Sequence, residues 1–177
     1  MLNTKVKTDY LITLAEAKSH LRVDTSAEDN YISDLIKSAV NFAENYIDKD
    51  IATTTNTAVL KDFGGTLIEI DEGNLISITS IKDEAGTVLA YDSNLDIYDS
   101  SFIVELTNNL SIQDVTAVFV TGYSVSTLPP AIRQAIYIKL SDLYDVERSS
   151  AMFNTIQTNH VFESLLNYYV AKRVKIE

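Results

Sequence analysis

The period at which apolar residues recur changes twice along the chain, and this change constrains the fold more than any other feature. Within residues 26–47, apolar side chains recur every three or four positions. That spacing places them on one stripe of a single helix of about 20 residues. The stripe comprises Ile32, Leu35, Ile36, Ala39, Phe42, Ala43, Tyr46 and Ile47. The opposite face is polar, so we expect one side of this helix to be buried in a core.

A shorter helix is predicted just before it. Thr13 is followed three residues later by Glu16, which is the pattern of a capping box, in which each side chain bonds the backbone of the other residue. This helix is expected to run to about Val23. The long helix is expected to begin at Ser26, because two acidic residues follow where the helix dipole favours negative charge.

Residues 52–123 show a different period. Apolar and polar residues alternate there in short runs that are separated by turn signals, among which Gly64 and Gly65 are interpreted as a turn. The runs are Ala58–Phe63, Thr66–Ile70, Ile76–Ile81, Val88–Tyr91, Phe102–Leu106 and Val115–Val120. Alternation with period two predicts a small antiparallel sheet or barrel. Its solvated faces are expected to carry the eleven acidic residues of this segment.

Helical spacing returns after Pro129 and Pro130, since a proline is well suited to the first position of a helix. This helix is expected to end near Arg148. A polar segment, residues 149–159, then precedes a last helix over His160–Arg173. The fold class predicted is therefore α+β, with a helical core of about four helices and an inserted small antiparallel β subdomain. The predicted boundaries are 1–51 and 124–177 for the helical core and 52–123 for the β subdomain.

The net charge of −11 is concentrated in the middle of the chain. Residues 51–128 carry only Lys61 and Lys82 against eleven acidic residues. A chain this acidic is a poor candidate for gripping nucleic acid, because neutralising phosphates supplies much of that affinity. It could still surround DNA without binding it.

Catalytic chemistry is hard to find in the sequence. There is no cysteine, the two histidines His20 and His160 are far apart, and the five glycines form no phosphate-binding motif. We therefore expect no enzyme, no cofactor and no metal. Carboxylates cluster at three places, but none has the full spacing of a calcium loop, so a cation-binding module is only an alternative. No apolar run approaches the roughly 18 residues of a membrane span, and no secretory signal follows Met1.

Three stretches together resemble a known family. Leu14–Asp24 (LAEAKSHLRVD), followed by the long amphipathic stripe, is similar to the opening of phage head–tail connector proteins. Val120–Tyr123 with Leu128–Ile136 and Leu143–Arg148 is similar to the strand, proline stop and third helix of that family. Val161–Tyr169 is similar to its closing helix. The acidic β segment matches only in general character, and it is longer than in the most compact members.

The resemblance implies a virion structural protein at the head–tail junction, made in the host bacterial cytoplasm. It implies a ring, usually of twelve copies, that binds beneath the portal protein, meets tail-side connector or stopper proteins, and lets duplex DNA pass through. Subunit interfaces are expected along the helical faces. An acidic ring would repel phosphate and let DNA slide. The alternative from the same class is a tail-completion or other capsid-associated protein.

Two sets of residues follow as site predictions. The first is a portal contact on the last helix and the basic residues after it. It comprises His160, Leu165, Tyr169, Lys172, Arg173 and Lys175. The second is an acidic group at the channel or the outer rim, made of Asp92, Asp96 and Asp99.

Overall fold

The computed structural model describes residues 2–92, 95–97, 101–148 and 160–171. It has an α+β fold with four helices and an antiparallel sheet, which confirms the predicted fold class. The chain divides into two compact units. The helical unit contains Tyr10–Ile51 and Ser124–Val170, and the sheet unit contains Ala52–Tyr123 together with the N-terminal residues up to Asp9.

The helical unit is built from four helices. They are α1 (Leu14–Leu21), α2 (Asp29–Ile47), α3 (Pro130–Arg148) and α4 (His160–Leu166), and α4 continues into a 3-10 turn at Asn167–Tyr169. Helix α2 packs against α3, and α3 packs against α4. The core residues of α2 and α3 include Ile32, Ile36, Ala39, Ala43, Ile47, Ile132, Ala135, Ile136 and Leu140, all with at most 5% of their surface exposed. The predicted apolar stripe is thus the buried side of α2.

Three details of the helices differ from the sequence predictions. The last helix, predicted over His160–Arg173, ends at Leu166 and is followed by the 3-10 turn. Helix α2 begins at Asp29 with Glu28 as its N-cap, and not at Ser26. Phe42, which the stripe included, is 48% exposed and lies under the ammonium group of Lys139, 4.1 Å from the ring centre. The buried residue at this level of the helix is Val40. The segment 149–159 lies outside the described residues.

The sheet unit contains five strands. They are β1 (Leu2–Asp9), β2 (Thr53–Ile70), β3 (Leu75–Lys82), β4 (Asp96–Ile97) and β5 (Phe102–Thr121). All pairs are antiparallel, the order is β1-β2-β5-β3, and the two-residue β4 also pairs with β5. Strand β1 was assigned by sequence to the helical segment. Most residues of this strand are polar, with threonine and lysine around a single valine. A prediction from the spacing of apolar residues therefore did not detect it.

The short apolar runs of the middle segment join into two long strands. Four of the predicted runs lie within β2 and β5, and Gly64 and Gly65 lie inside β2, so the predicted turn there is wrong. The run Val88–Tyr91 forms only isolated bridges at its two ends. Backbone hydrogen bonds continue across the glycines because the chain makes bulges there: the register with β5 shifts at Phe63, Gly65 and Leu67.

These bulges bend the two long strands back on themselves. Phe102 and Phe119 stand 17 positions apart on β5, which corresponds to about 57 Å along a straight strand. Their ring centres are nevertheless 5.2 Å apart in an edge-to-face pair, and both side chains are fully buried. The two halves of the hairpin therefore enclose a single core. The other buried members of that core are Ala58, Ile68, Ile70, Ile81, Val104, Leu106, Val115 and Ala117.

A charged contact holds the bend. Asp62 has a left-handed backbone (φ 49°), and its N–H donates to the Asp114 carboxylate at 3.2 Å. The Lys61 ammonium group forms an ion pair with the same carboxylate. The hydrogen bond from Lys61, followed by that from the Asp62 backbone, lowers the pKa of Asp114, and the Asp114 carboxylate raises the pKa of Lys61. Two oppositely charged residues on paired strands thus fix a bulge that the core requires.

Candidate functional surfaces

Helix α4 has two apolar sides, and only one of them is buried. On the inner side, Leu166 is fully buried and the Phe162 ring packs edge-to-face on Tyr46 at 5.9 Å. The Tyr46 hydroxyl also donates to Asn167 Oδ1 at 2.5 Å. These contacts fix the orientation of α4 on the helical unit. They leave its other side facing outward.

The outward side carries apolar residues at helical spacing. Val161 is 57% exposed and Tyr168 is 85% exposed, and Leu165 between them is half-buried. The rings of Tyr168 and Tyr169 pack edge-to-face at 5.2 Å. An exposed tyrosine beside two aliphatic residues is typical of contact surfaces, because its ring buries a large area while its hydroxyl stays hydrated. We call Val161, Leu165, Tyr168 and Tyr169 the α4 outer face.

The predicted portal-contact residues fall partly on this face. Leu165 and Tyr169 belong to it. His160 is exposed at the start of the helix, with Nδ1 3.7 Å from a carboxylate oxygen of Glu163. Lys172, Arg173 and Lys175 lie outside the described residues. The sequence argument omitted Val161 and Tyr168 from the site, although their spacing from Leu165 was available as a signal.

The acidic group at the channel or rim is described only in part. Asp92 is exposed, and its N–H donates to the Glu105 carbonyl at 2.8 Å. The backbone of Asp96 pairs with Ile103 at the short strand β4. Asp99 lies outside the described residues.

The residues of α1 that carry the family resemblance make structural contacts. Glu16 accepts the Thr13 N–H at 2.8 Å and forms an ion pair with Arg133 at 3.2 Å, so its pKa is lowered, chiefly by the Thr13 backbone. The His20 ring stacks on Tyr137 with centroids 4.7 Å apart, and its Nε2 lies 3.0 Å from Ser141 Oγ. Both contacts join α1 to α3. The family-like pattern therefore encodes helix packing rather than a catalytic or metal-binding group.

Two features are absent from the described part of the chain, namely a metal-binding cluster and a membrane-spanning helix. No group of three or more histidine, aspartate or glutamate side chains is arranged to hold a metal ion. None of the described helices has the length and apolarity needed to cross a bilayer. A shallow groove runs beside α1, lined by Leu14, Ala15, Lys18, Ser19, Val23 and Asp24. It presents one ion pair, Lys18 with Asp29 at 2.6 Å.

The sheet unit presents a surface whose central residues carry no charge. Cross-strand partners project from the same side of a sheet, so the register places one row at Val6, Thr55, Val120 and Ser77, and a second at Thr4, Thr57, Val118 and Ser80. Val59 and Thr116 belong to a third row, and the exposed residues Lys82, opposite Thr116, and Asp9, opposite Thr53, form the charged borders of the surface. The six residues on β2 and β5 are half-buried, and Val6 is 57% exposed. We call these ten residues the uncharged face.

The acidic residues of the sheet unit lie elsewhere. Asp71, Glu72, Asp83, Glu84 and Asp92 lie between strands, and the acidic residues on described strands lie at the bend or in the distal half of the hairpin, except Asp9 at the end of β1. The expectation that the solvated faces carry the acids is therefore wrong for this face. The alternation of Val118 and Val120 with Phe119 and Thr121 was visible in the sequence. Cross-strand register, which sequence does not supply, was needed to see that its outward neighbours are also uncharged.

Comparison with known families gives one match. Residues 11–97 match the family described as phage gp6-like head-tail connector protein. This range covers α1, α2, β2 and β3 and ends at β4. None of the curated proteins matches the chain.

Solved structures with the same fold are more numerous. A chain from the neck of an empty GTA particle, computed with C6 symmetry, superposes with a TM-score of 0.78 at 17% identity. A chain of the virion of a native gene transfer agent (GTA) particle gives 0.75 at 19% identity, and one from the neck of the native particle, computed with C12 symmetry, gives 0.73 at 16%. In each case the match covers 100% of this chain and 99% of the other. At these identities the likeness is one of fold.

Proposed function

Because the chain is a member of the phage gp6-like head-tail connector family through residues 11–97, we propose that it is a ring-forming adaptor in the neck of a phage-like particle. This is a family of structural connectors, so the prediction of a non-enzymatic protein is confirmed. In the proposed arrangement the ring binds beneath the portal, offers an attachment surface to tail-side proteins, and surrounds the DNA that leaves the head.

The observation that carries the proposal is the family match over the region that contains α1, α2 and most of the sheet. The fold supports the proposal over the whole length of the chain, because the superposition on chains from particle necks covers all of this chain. Both necks were computed with cyclic symmetry, and cyclic symmetry places identical copies of a chain around one axis. A ring of twelve copies is the form that we propose for this chain.

Electron microscopy of the purified chain mixed with the portal of the same particle tests the proposal. We expect a ring on one face of the portal, with a central opening at least as wide as the roughly 20 Å duplex of DNA. A chain that binds only completed tails, or that decorates the capsid away from the portal vertex, would instead fit a tail-completion or capsid-associated protein and would overturn the adaptor assignment.

We further propose that the α4 outer face, with His160 and the basic residues Lys172, Arg173 and Lys175, contacts the portal. The inner side of α4 is fixed by Phe162 and Leu166, so the helix presents its other apolar side in a defined orientation. A double substitution of Val161 and Tyr168 by serine should abolish portal binding and leave the thermal midpoint unchanged, because both side chains are exposed. Replacing Phe42 by serine is a matched control, because Phe42 is an exposed aromatic residue on another helix of the same unit.

The acidic group Asp92, Asp96 and Asp99 is proposed to line the channel or the outer rim. Replacing all three by lysine separates the two placements, because only groups that face the DNA would slow its exit when their charge is reversed. DNA ejection is then measured from particles that carry the triple variant. Slower ejection supports the channel, and unchanged ejection places the group at the rim.

A further inference from the structure

We infer that the uncharged face of the sheet is a contact between neighbouring copies of this chain in the proposed ring. This inference rests on the proposed function and adds to it a surface on the sheet unit, where the sequence had placed subunit contacts along helices. It starts from three observations, namely the charge of the face, its exposure and the stiffness of its side chains.

The absence of charge is the first observation. Charged residues make up 22% of the sequence, and the chain carries a net charge of −11. The ten residues of the uncharged face nevertheless include no charged side chain, over four adjacent strands. Two identical acidic chains repel each other wherever carboxylates meet, and desolvating those carboxylates costs further free energy. A face without carboxylates is where a copy of the same chain can approach.

The same property argues against other partners. Nucleic acid binds surfaces rich in lysine and arginine, and this face has none. A basic protein would find carboxylates at the bend and in the turns, and not here. Among partners distinguished by charge, the face therefore fits an uncharged part of the surface of an acidic protein, and in the proposed ring the neighbour is an acidic chain identical to this one.

Exposure and shape agree with this reading. Val6 is 57% exposed and Thr4 is exposed at one edge of the face, and Ser77 is exposed at the other edge. The centre is formed by β-branched residues, whose side chains are stiff and lose little conformational freedom on contact. Cores of protein interfaces are depleted in charge in the same way.

The size of the face sets its role. Four strands and three rows of side chains span about 14 Å in each direction, or about 200 Å². A standard interface buries about 800 Å² on each partner. The uncharged face is therefore the centre of a larger contact, and in a ring the surface that it meets on the next copy is a different one.

Photo-crosslinking tests the inference directly. The chain contains no cysteine, so a Thr57→Cys variant offers one site for a maleimide–benzophenone probe at the centre of the face. An Asn109→Cys variant is the matched control, because Asn109 is exposed on the bend of the same sheet unit. The probe is activated in the ring on the portal and, separately, in the dilute free chain.

We expect the Thr57→Cys variant in the ring to give a product of twice the 19.7 kDa chain mass, at least about tenfold above the Asn109→Cys control. The probe is small enough that the β-branched neighbours still exclude water around it. A product whose added mass is that of the portal or a tail protein overturns the inference, as does the absence of any product. A wild-type chain that forms no ring on the portal would contradict the proposed function. This outcome is distinct from a ring that forms without a crosslink between copies, which would contradict only the inference.

A charge inserted into the face gives a second measurement. Val118→Asp places a carboxylate at its centre, on the side that points away from the core. We expect assembly on the portal to fall at least about tenfold, because burying a carboxylate without a partner in an interface is strongly unfavourable. The monomer should keep its circular dichroism spectrum and thermal midpoint. Normal assembly by Val118→Asp would overturn the inference, and Asn109→Asp is the control for added charge alone.

Discussion

At the scale of single residues, Asp114 shows how a surface charge can serve the fold. Its carboxylate accepts the N–H of Asp62, which has a left-handed backbone, and pairs with Lys61. The lowered pKa of Asp114 means that the folded state favours the ionised form. The stabilisation is therefore present above the unfolded pKa of aspartate and is lost as pH falls through the lower folded pKa.

An Asp114→Asn variant tests this sign. The amide oxygen can still accept the Asp62 N–H, so the substitution removes mainly the charge. We expect a small lowering of the thermal midpoint at pH 7, because exposed ion pairs contribute little, and a difference from wild type that shrinks as pH falls, because protonation of Asp114 removes the same charge. Combining it with Lys61→Gln should lower the midpoint no further at pH 7, and additive effects would contradict the pairing.

The capping box of α1 is a second prediction for single residues. Thr13 Oγ1 accepts the Glu16 N–H at 3.2 Å, while Glu16 accepts the N–H of Thr13. Thr13→Ala should reduce the free energy of unfolding by about 1 kcal/mol, measured by urea denaturation. Ser26→Ala is the control, since the structure gives α2 its N-cap at Glu28 instead. An equal loss in the two variants would mean that the capping contact contributes nothing.

At the scale of elements, the bend in β2 depends on backbone conformation. Gly65 has φ 118°, a region that other residues rarely adopt, whereas a side chain at Gly64 would contact Ile112, most closely its Cγ1 atom at 3.3 Å. Gly65→Ala should therefore destabilise the protein by about 1–3 kcal/mol. Gly64→Ala should cost less, because Ile112 is exposed and can move. Comparable denaturation midpoints for the two variants would show that the bend does not rely on Gly65.

The elements also show how far the sequence could be interpreted. The capping pattern and the apolar spacing predicted α1, α2 and α3, because a helix produces a periodic pattern within a short stretch of sequence. The continuity of β2 and β5 could not be inferred, since glycine pairs usually mark turns and only the cross-strand register reveals a bulge. Strand β1 was not predicted for a related reason: the residues of β2 with which it pairs lie about 50 positions away in the sequence. The α4 outer face was half predicted, and the uncharged face was not.

At the scale of the whole molecule, the acidic residues are separated from the surface that we propose as the contact between copies of the chain. Apart from Asp9, the acidic residues of the sheet unit lie between strands, at the bend and in the distal hairpin, and the uncharged face carries none of them. A ring of such chains would combine copies through neutral surfaces and present negative charge elsewhere. Phosphate would then be repelled along the path of the DNA, and the repulsion would be strongest at low salt, where screening is weakest.

This arrangement predicts how the protein behaves toward free DNA. With a net charge of −11, the purified chain should give no change in the fluorescence anisotropy of a labelled duplex, even at about 50 mM salt, where proteins that neutralise phosphates bind most tightly. The Asp92, Asp96 and Asp99 to lysine variant raises the charge by six and places three lysines together. It should bind weakly, and the binding should disappear as salt is raised, because it depends on released counterions. Salt-sensitive binding by the wild-type chain would contradict the idea that DNA passes through this protein without adhering to it.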